Sequence, residues 1–408
     1  MNDTAIEATP RLNNPKGRAS EVFAAFLKLG VTSFGGPIAH LGYFRDELVV
    51  RRGWIDEKGY ADLVALCQFL PGPTSSQVGF ALGLLRGGAL GAAAAWTGFT
   101  LPSAILLVLF AFGAAAFDGP IGSGIVHGLK VVAVAIVAQA VWGMARSLCP
   151  DRERASIALG AVLVVTLVGG SFGQIAAIVI GGLAGLWLCR SDGEAIASHV
   201  SFPVSRAAGV AALLLFFVLL LCLPILTAGV SAQGLAIFDS FYRAGSLVFG
   251  GGHVVLPLLE TEVVRSGWVN ADQFLAGYGA AQAVPGPLFT FAAYLGTVLG
   301  PEPNGLAGAA IALVAVFLPG FLLLVGIIPF WDMFRTRPMA QALMRGANAA
   351  VVGILGAALY QPVWTSAIAG GYEFALALTC FVLLTAWKSP PWIVVIIAAI
   401  GGVLIGFG

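Results

Sequence analysis

The sequence FLKLGVTSFGG, residues 26–36, returns in altered form as FYRAGSLVFGG at residues 241–251. A second pair follows in the same order, with CQFLPGP at 67–73 matched by AQAVPGP at 281–287. Both stretches place Gly-Gly or Pro-Gly-Pro inside apolar sequence, and these residues interrupt the hydrogen-bond ladder of a helix. The constant separation of the copies predicts an internal repeat in which each half contains two broken helices.

The composition places this repeat in a membrane. Of the 408 residues, 59% are hydrophobic and 10% are charged, whereas about a quarter are charged in a soluble domain. This excludes a soluble globular enzyme, and a net charge of +1 gives no attraction to nucleic acid. The five cysteines are far apart and lack the spacing of metal or redox sites. We therefore expect no cofactor and no metal.

Several apolar stretches have the roughly 20 residues that one membrane crossing requires. They are residues 88–116, 121–148, 155–170, 172–189, 206–227, 304–330, 338–362, 371–387 and 391–407. Four further segments are interrupted, namely 20–49, 59–86, 236–264 and 270–299. A broken helix survives in hydrocarbon only where it is buried in protein or lines a watery cavity. We therefore predict that the four interrupted segments are re-entrant.

The basic residues predict the orientation of the chain. With a cytoplasmic N-terminus and four re-entrant segments, most Lys and Arg residues fall inside, and only Arg265 falls in an outside loop. The stretch 206–227 has no counterpart, and an odd linker span inverts the second half. We predict the following units: a cytoplasmic tail at 1–19, a first repeat at 20–190, a linker with one unmatched helix at 191–230 and an inverted second repeat at 231–408.

The predicted fold class is thus an all-α polytopic membrane protein with two inverted-topology homologous halves and discontinuous, re-entrant helices. Inverted repeats with broken helices are the architecture of secondary transporters, which bind their substrate near the membrane midplane between the repeats. On this topology the C-terminus lies outside. The pattern therefore indicates a transporter, without naming its cargo.

The stretch VTSFGGPIAHLGYFRDELVVRRGWIDEKGYADLVALCQFLPGPTSSQ, residues 31–77, resembles the signature of chromate ion transporters. Residues 245–287 resemble the second copy in the long, two-domain members of that family. The resemblance implies a bacterial inner-membrane protein, not an enzyme, that exports chromate and confers chromate resistance. Export would be driven by the membrane potential or a proton gradient. Implied partners are chromate, sulfate as a competitor, the lipid bilayer and, as one option, a second copy in a homodimer.

Two alternatives stay open at this point. The cargo could be sulfate or another oxyanion, because both anions demand similar donors. From another class, the chain could be a membrane-bound chromate reductase. A reductase needs a redox cofactor, and the sequence has no C-x-x-C, haem-attachment or dinucleotide motif to hold one.

Residues around the breaks are the candidate substrate-binding groups, because a helix that starts inside the membrane offers free N–H groups and a positive dipole end to an anion. In the first half they are Thr32, Ser33, Gly35, Gly36, Gln68, Gly72, Thr74, Ser75, Ser76 and Gln77. In the second half they are Gly250, Gly251, Gln282 and Gly286. Leu288 and Phe289 follow the second Pro-Gly-Pro, so the first half is expected to supply more polar contacts. The alternative is that the glycines only allow close helix packing.

Lys28 and Arg243 place one cation at the same position in each repeat. A charge inside the membrane indicates function by default, although a long side chain also snorkels to an interface. We expect replacement of either residue by Ala to lower flux without preventing membrane insertion. Arg45, just after the first break, is a third candidate, for which a local ion pair is the alternative.

Three residues are candidates for coupling transport to protons. His40 and His253 follow their breaks, and histidine titrates near neutral pH. Asp62 begins the second re-entrant segment. For the histidines the alternative is an ordinary structural role, and for Asp62 it is a helix-start acid favoured by the dipole.

Overall fold

The structure, a computed structural model, describes residues 17–114, 119–189, 202–230, 232–249, 252–335 and 337–406. Regular secondary structure in these ranges is helical, which confirms the all-α prediction. The helices up to the linker are α1 (Ala19–Thr32), α2 (Gly36–Phe44), α3 (Glu57–Phe69), α4 (Thr74–Ala114), α5 (Pro120–Leu148), α6 (Arg152–Val168), α7 (Gly170–Leu188) and α8 (Arg206–Gly229). Those of the second half are α9 (Gln233–Ser246), α10 (Val255–Val263), α11 (Ala271–Ala281), α12 (Phe291–Val298), α13 (Gly305–Ile327), α14 (Trp331–Arg335), α15 (Pro338–Ala358), α16 (Thr365–Ala367), α17 (Gly371–Thr385) and α18 (Pro391–Gly406).

Six helical stretches among the described residues are long and apolar enough to cross a membrane. They contain α4, α5, α7, α8, α13 and α15. The other stretches that we expected to span form α6, α17 and α18, with 17, 15 and 16 residues. At 1.5 Å per residue these helices are about 22–26 Å long, which is less than the roughly 30 Å of a hydrocarbon core. In the described residues these three helices are therefore shorter than a full crossing, while the orientation of the chain stays a prediction.

The helix breaks lie where the sequence predicts them. In the first half, α1 ends at Thr32 and α2 begins at Gly36, after Gly35 at a φ of +100°. In the second half, α9 ends at Ser246 and α10 begins at Val255. Each Pro-Gly-Pro separates two further helices, α3 from α4 and α11 from α12. Gly250 and Gly251 lie outside the described residues, so these two candidates are not placed.

Helix α4 bends back on itself. Gly87 and Gly88 have non-helical backbones, with Gly88 at a φ of +64°. Its two arms are in close contact at two glycines. A Cβ added to Gly83 would lie only 2.5 Å from the carbonyl oxygen of Gly91. In the second half α12 packs on α13 in the same way, so the hairpin is part of the repeat.

The two halves exchange their last helices. The hairpin α6–α7 of the first half packs against α15, and the hairpin α17–α18 of the second half packs against α5. Glycines allow both approaches: a Cβ on Gly402 would lie 2.6 Å from the Cα of Gly128, and one on Gly185 would lie 2.8 Å from the Cα of Gly346. These contacts join equivalent positions of the repeats. We call α6–α7 and α17–α18 the exchanged hairpins.

Candidate functional site

The four helix breaks meet at the centre of the molecule. The backbone N–H of Gly72 donates to the carbonyl of Val248 at 2.7 Å, and the N–H of Gly286 donates to the carbonyl of Ser33 at 2.9 Å. The two bonds join equivalent positions, so each Pro-Gly-Pro is bonded to the Gly-Gly break of the other half. We call these four residues the crossing.

Glycine is required on both sides of the crossing. Gly72 and Gly286 have φ values of +125° and +101°, which L side chains rarely adopt. A Cβ on Gly286 would also lie 2.7 Å from Ser103 Oγ, and one on Gly72 would lie 3.0 Å from the Cα of Gly320. The breaks therefore do more than permit helix packing, since they hold the two halves against each other.

A small cavity of about 20 Å³ lies beside the crossing. Gly35, Gly36, His253, Gln282 and Gly286 are among its lining residues, which come from both halves. The volume holds about one water molecule, so a tetrahedral oxyanion with five heavy atoms does not fit. The conformation described here is thus closed at the crossing, and binding there requires the halves to move apart.

Several buried hydroxyl groups of the first half have no hydrogen-bond partner in the described residues. Ser33, Ser76 and Thr100 are at most 3% exposed, and their hydroxyl oxygens have no hydrogen-bond partner in the described part of the chain. We call these three residues the hydroxyl cluster. Burying a hydroxyl without a partner is costly. Three such groups near the helix breaks are therefore well suited to donate to an anion.

The bend of α4 places two members of this cluster on its two facing arms. Gly83 packs against Gly91 and Ala95, and about two helical turns beyond these contacts lie Ser76 on one arm and Thr100 on the other. Ser33 joins them through the crossing, because Gly286 bonds to its carbonyl and approaches the Phe99–Ser103 turn.

Aromatic residues of α13 flank this region. Phe80, one turn after Ser76, stacks on Phe321 with ring centroids 4.3 Å apart. Trp96, one turn before Thr100, contacts Phe317 with centroids 5.8 Å apart. The indole N–H of Trp96 is also buried and unpaired within the described residues. It adds a neutral donor on the same face of α4 as Thr100.

The remaining first-half candidates differ in placement. The Nε2 amide of Gln77 donates to the carbonyls of Pro71 and Gly320, which ties the start of α4 to the second half. Gln68 is exposed, unlike its repeat counterpart Gln282 in the central cavity. The hydroxyl of Thr32 donates to its own helix at Lys28, and Thr74 begins α4 in a half-buried position.

The corresponding part of the second half is apolar. After its Pro-Gly-Pro come Leu288, Phe289 and Phe291, all buried. Thr290 is the exception, and its hydroxyl is already bonded to the carbonyl of Pro287 at 2.7 Å. The hydroxyl cluster thus belongs to the first half, and the expectation that this half supplies more polar contacts to the substrate stays a prediction.

The predicted cations are paired with carboxylates that the sequence analysis did not assign to them. Lys28 Nζ lies 3.1 Å from Glu47, and Arg243 Nη2 lies 2.9 Å from Glu262. Arg45 is paired with Glu57 at 2.7 Å. An ion pair therefore joins the first helix of each repeat to the chain after the break, at the π-helical turn 45–51 that follows α2 and at the end of α10. A substrate role for Lys28, Arg243 or Arg45 stays a prediction.

The two equivalent ion pairs are expected to differ in strength. Glu47 also contacts Arg51 and Arg52, and half of the Lys28 side chain is exposed, so Lys28→Gln removes an interaction worth less than about 1 kcal/mol. Arg243→Gln leaves two carboxylates without this cation, the buried Asp239 and the partly buried Glu262, at about 3–5 kcal/mol. Thermal unfolding in detergent should show a much larger drop in Tm for Arg243→Gln. Equal drops would contradict this assignment.

The three coupling candidates lie in different surroundings. His40 is buried, with Nδ1 3.4 Å from Ser75 Oγ and its ring edge-on to Phe99. His253 Nδ1 lies 2.8 Å from Tyr278 Oη beside the central cavity. Asp62 accepts a hydrogen bond from the indole of Trp331 at 3.2 Å. His40 and His253 touch the region of the crossing, and coupling through any of the three stays a prediction.

Sequence reasoning missed Thr100, Trp96 and the carboxylate partners Glu47 and Glu262. The carboxylates had a usable signal, because both follow their cation by the same number of residues. Thr100 directly precedes the Leu101-Pro102 pair, which recurs in the second half, but nothing in the sequence shows that the helix folds back.

Comparison with known proteins agrees with these observations. The family model described as "Chromate transporter" matches residues 20–186 and again 235–403. The chromate transport protein of Pseudomonas aeruginosa is 30% identical over 97% of this chain and 94% of its own length. A probable chromate transport protein of Synechococcus elongatus is 28% identical over 93% of both chains. No solved structure matches the chain.

A third relative, the chromate transport protein of Cupriavidus metallidurans, is 27% identical over 92% of this chain and 90% of its own length. All three relatives are named as transport proteins, so the reductase alternative finds no support and the chain is not an enzyme. Because the family model covers both repeats, this two-repeat helical membrane protein belongs to the chromate transporter family.

Proposed function

We propose that the protein is a secondary transporter that exports chromate across the bacterial inner membrane and thereby confers chromate resistance. The observation that carries the proposal is the crossing, where reciprocal hydrogen bonds join the helix breaks of the two repeats. Transporters with repeated halves bind substrate at such a junction and alternate access by moving one half against the other. The cavity of about 20 Å³ is too small for chromate, which fits a state between the two openings.

Chromate would be held by neutral donors rather than by lysine or arginine. Lys28 and Arg243 are paired with carboxylates, whereas the hydroxyls of Ser33, Ser76 and Thr100 are free to donate. The first turn of α4 adds backbone N–H groups and the positive end of a helix dipole. Hydrogen bonds to an ionised acceptor are about twice as strong as neutral ones, so a few donors replace much of the lost hydration.

The direction of transport follows from charge. A dianion leaving a cell that is negative inside gains about 4.6 kcal/mol per 100 mV of membrane potential, twice the value for one charge. The predicted topology places most basic residues on the cytoplasmic side, where they would attract the anion. Export thus needs no ATPase, and the sequence contains no G-x-x-x-x-G-K-[ST] motif.

The test is chromate flux in liposomes that contain the purified protein, with the membrane potential set in either sign. We expect a chromate flux whose direction reverses with the sign of the potential and which sulfate inhibits only weakly. Liposomes without protein measure leakage. Faster movement of sulfate would assign the site to sulfate, since the hydroxyl cluster suits any tetrahedral dianion. Absence of flux for both anions under either potential would contradict oxyanion transport.

A further inference from the structure

A group of two carboxylates and one cation lies in the second half, with Asp239 buried and the other two residues partly buried. Arg243 Nε lies 3.1 Å from Asp239 Oδ2 on the same helix, and Arg243 Nη2 lies 2.9 Å from Glu262 Oε2 on α10. Asp239 is 4% exposed, and its Oδ1 is buried without a hydrogen-bond partner in the described residues. We call Asp239, Arg243 and Glu262 the acidic triad.

The first half builds the same scaffold with the opposite charge balance. Lys28 and Glu47 correspond to Arg243 and Glu262, but Ala24 stands where the second half has Asp239. Glu47 has two further cations, Arg51 and Arg52. Their counterparts in the second half are Arg265, which is engaged with Glu260, and the neutral Ser266. The first half therefore has no carboxylate at the position of Asp239, which is an additional buried charge of the second half.

The elements around the triad do not neutralise this charge. Helix α13, which packs on α9, carries no titratable side chain, and α8 has only Cys222 and, at its far end, Arg206. From α10, Glu260 is engaged with Arg265 at 3.9 Å, and from α7 the neutral Ser171 hydroxyl donates to Glu262.

One guanidinium thus faces two carboxylates, of which Asp239 is buried and Glu262 is partly buried. An uncompensated buried charge is expensive, and two carboxylates that share a site tend to hold one proton between them. The unpaired Asp239 Oδ1 is a position where that proton can reside.

We propose that the acidic triad binds one proton in each transport cycle and so couples chromate movement to a pH gradient. The step is reversible protonation of a carboxylate, with no other bond made or broken. The triad is placed to act on the substrate site, because α9 leads to Val248 of the crossing and α10 follows the same break. When Asp239 is protonated, its ion pair with Arg243 is weakened. This changes the strength of the Arg243–Glu262 interaction that joins α9 to α10 across the break. This inference rests on the proposed transport of chromate.

The experiment uses the full chain in sodium-free liposomes and compares two driving forces. One arm applies a membrane potential at equal pH, and the other applies a pH gradient with the potential clamped at zero. Wild-type protein should move chromate in both arms, with proton movement reported by a trapped pH-sensitive dye. In Asp239→Asn, the potential-driven flux should stay within about threefold of the wild-type value. The pH-driven flux should fall at least tenfold. Asp239→Ala, which places the side chain found at Ala24, guards against a folding defect of the first variant.

Asp272→Asn is the matched control, since Asp272 is an ion-paired carboxylate of the same half but is 62% exposed. It should retain both kinds of flux. Wild-type flux that responds to the potential but ignores the pH gradient would overturn the proton proposal and leave chromate transport standing. A pH-driven flux that persists in both Asp239 variants, or that appears only after sodium is added, would also overturn it. No flux in either arm with wild-type protein would instead contradict the proposed function.

Discussion

Gly286→Ala is expected to lower chromate flux at least a hundredfold while the protein still inserts into the membrane. The φ of +101° at this position penalises any side chain, by about 1–2 kcal/mol for a left-handed backbone. The added Cβ would also lie 2.7 Å from Ser103 Oγ and 3.2 Å from the carbonyl oxygen of Phe99. To relieve this, the break must move and give up its bond to Ser33. Flux in liposomes, normalised to inserted protein, measures the effect.

Gly267→Ala is the matched control for this experiment. Gly267 also has a positive φ, +76°, but a Cβ there would meet nothing within 4 Å. It therefore shares the backbone penalty without touching the crossing, and its flux should stay near that of wild-type protein. Normal flux in Gly286→Ala would show that the crossing is dispensable. An equal loss in both variants would attribute the effect to backbone strain alone.

Thr100→Val is expected to raise the KM for chromate by about 10- to 150-fold, which corresponds to one lost hydrogen bond to a charged group at about 1.5–3 kcal/mol. The substitution keeps the shape of the side chain and removes the hydroxyl. Because that hydroxyl has no partner in the described residues, the free protein loses no bond, and its Tm should be unchanged or slightly higher. Concentration-dependent flux and thermal unfolding measure the two quantities separately.

Thr297→Val serves as the control for the hydroxyl. Thr297 is also buried, but its hydroxyl donates to Ala293 of its own helix at 2.8 Å. This variant should keep the KM of wild-type protein. An unchanged KM in Thr100→Val would remove Thr100 from the substrate site, and a lowered Tm would show a structural role instead.

The sequence was most informative where backbone chemistry decides the structure. The Gly-Gly and Pro-Gly-Pro motifs predicted the breaks, because these residues interrupt a regular helix and both copies contain them. The repeat also predicted that Lys28 and Arg243 occupy equivalent places, which their pairing with Glu47 and Glu262 confirms. Matching of the two copies was thus sufficient to place the helix breaks that form the crossing.

Features that depend on three-dimensional pairing were not predictable from the sequence. Thr100 lies near the crossing because α4 folds back at Gly87 and Gly88. In the sequence, this helix looks like two separate apolar segments. Likewise, the predicted cations looked available for substrate because a carboxylate nineteen residues away in sequence gives no local sign of contact.

The exchanged hairpins constrain how the protein is made. Helix α5 emerges from the ribosome long before α17 and α18, the helices that cover its glycine face at Gly124 and Gly128. During that interval the face is open to lipid or to another chain, and the first half stays incomplete even after all of its own residues are synthesised. Assembly is therefore completed only when the last helix arrives. A ribosome that stops before α18 releases a chain with no means of closing its first half.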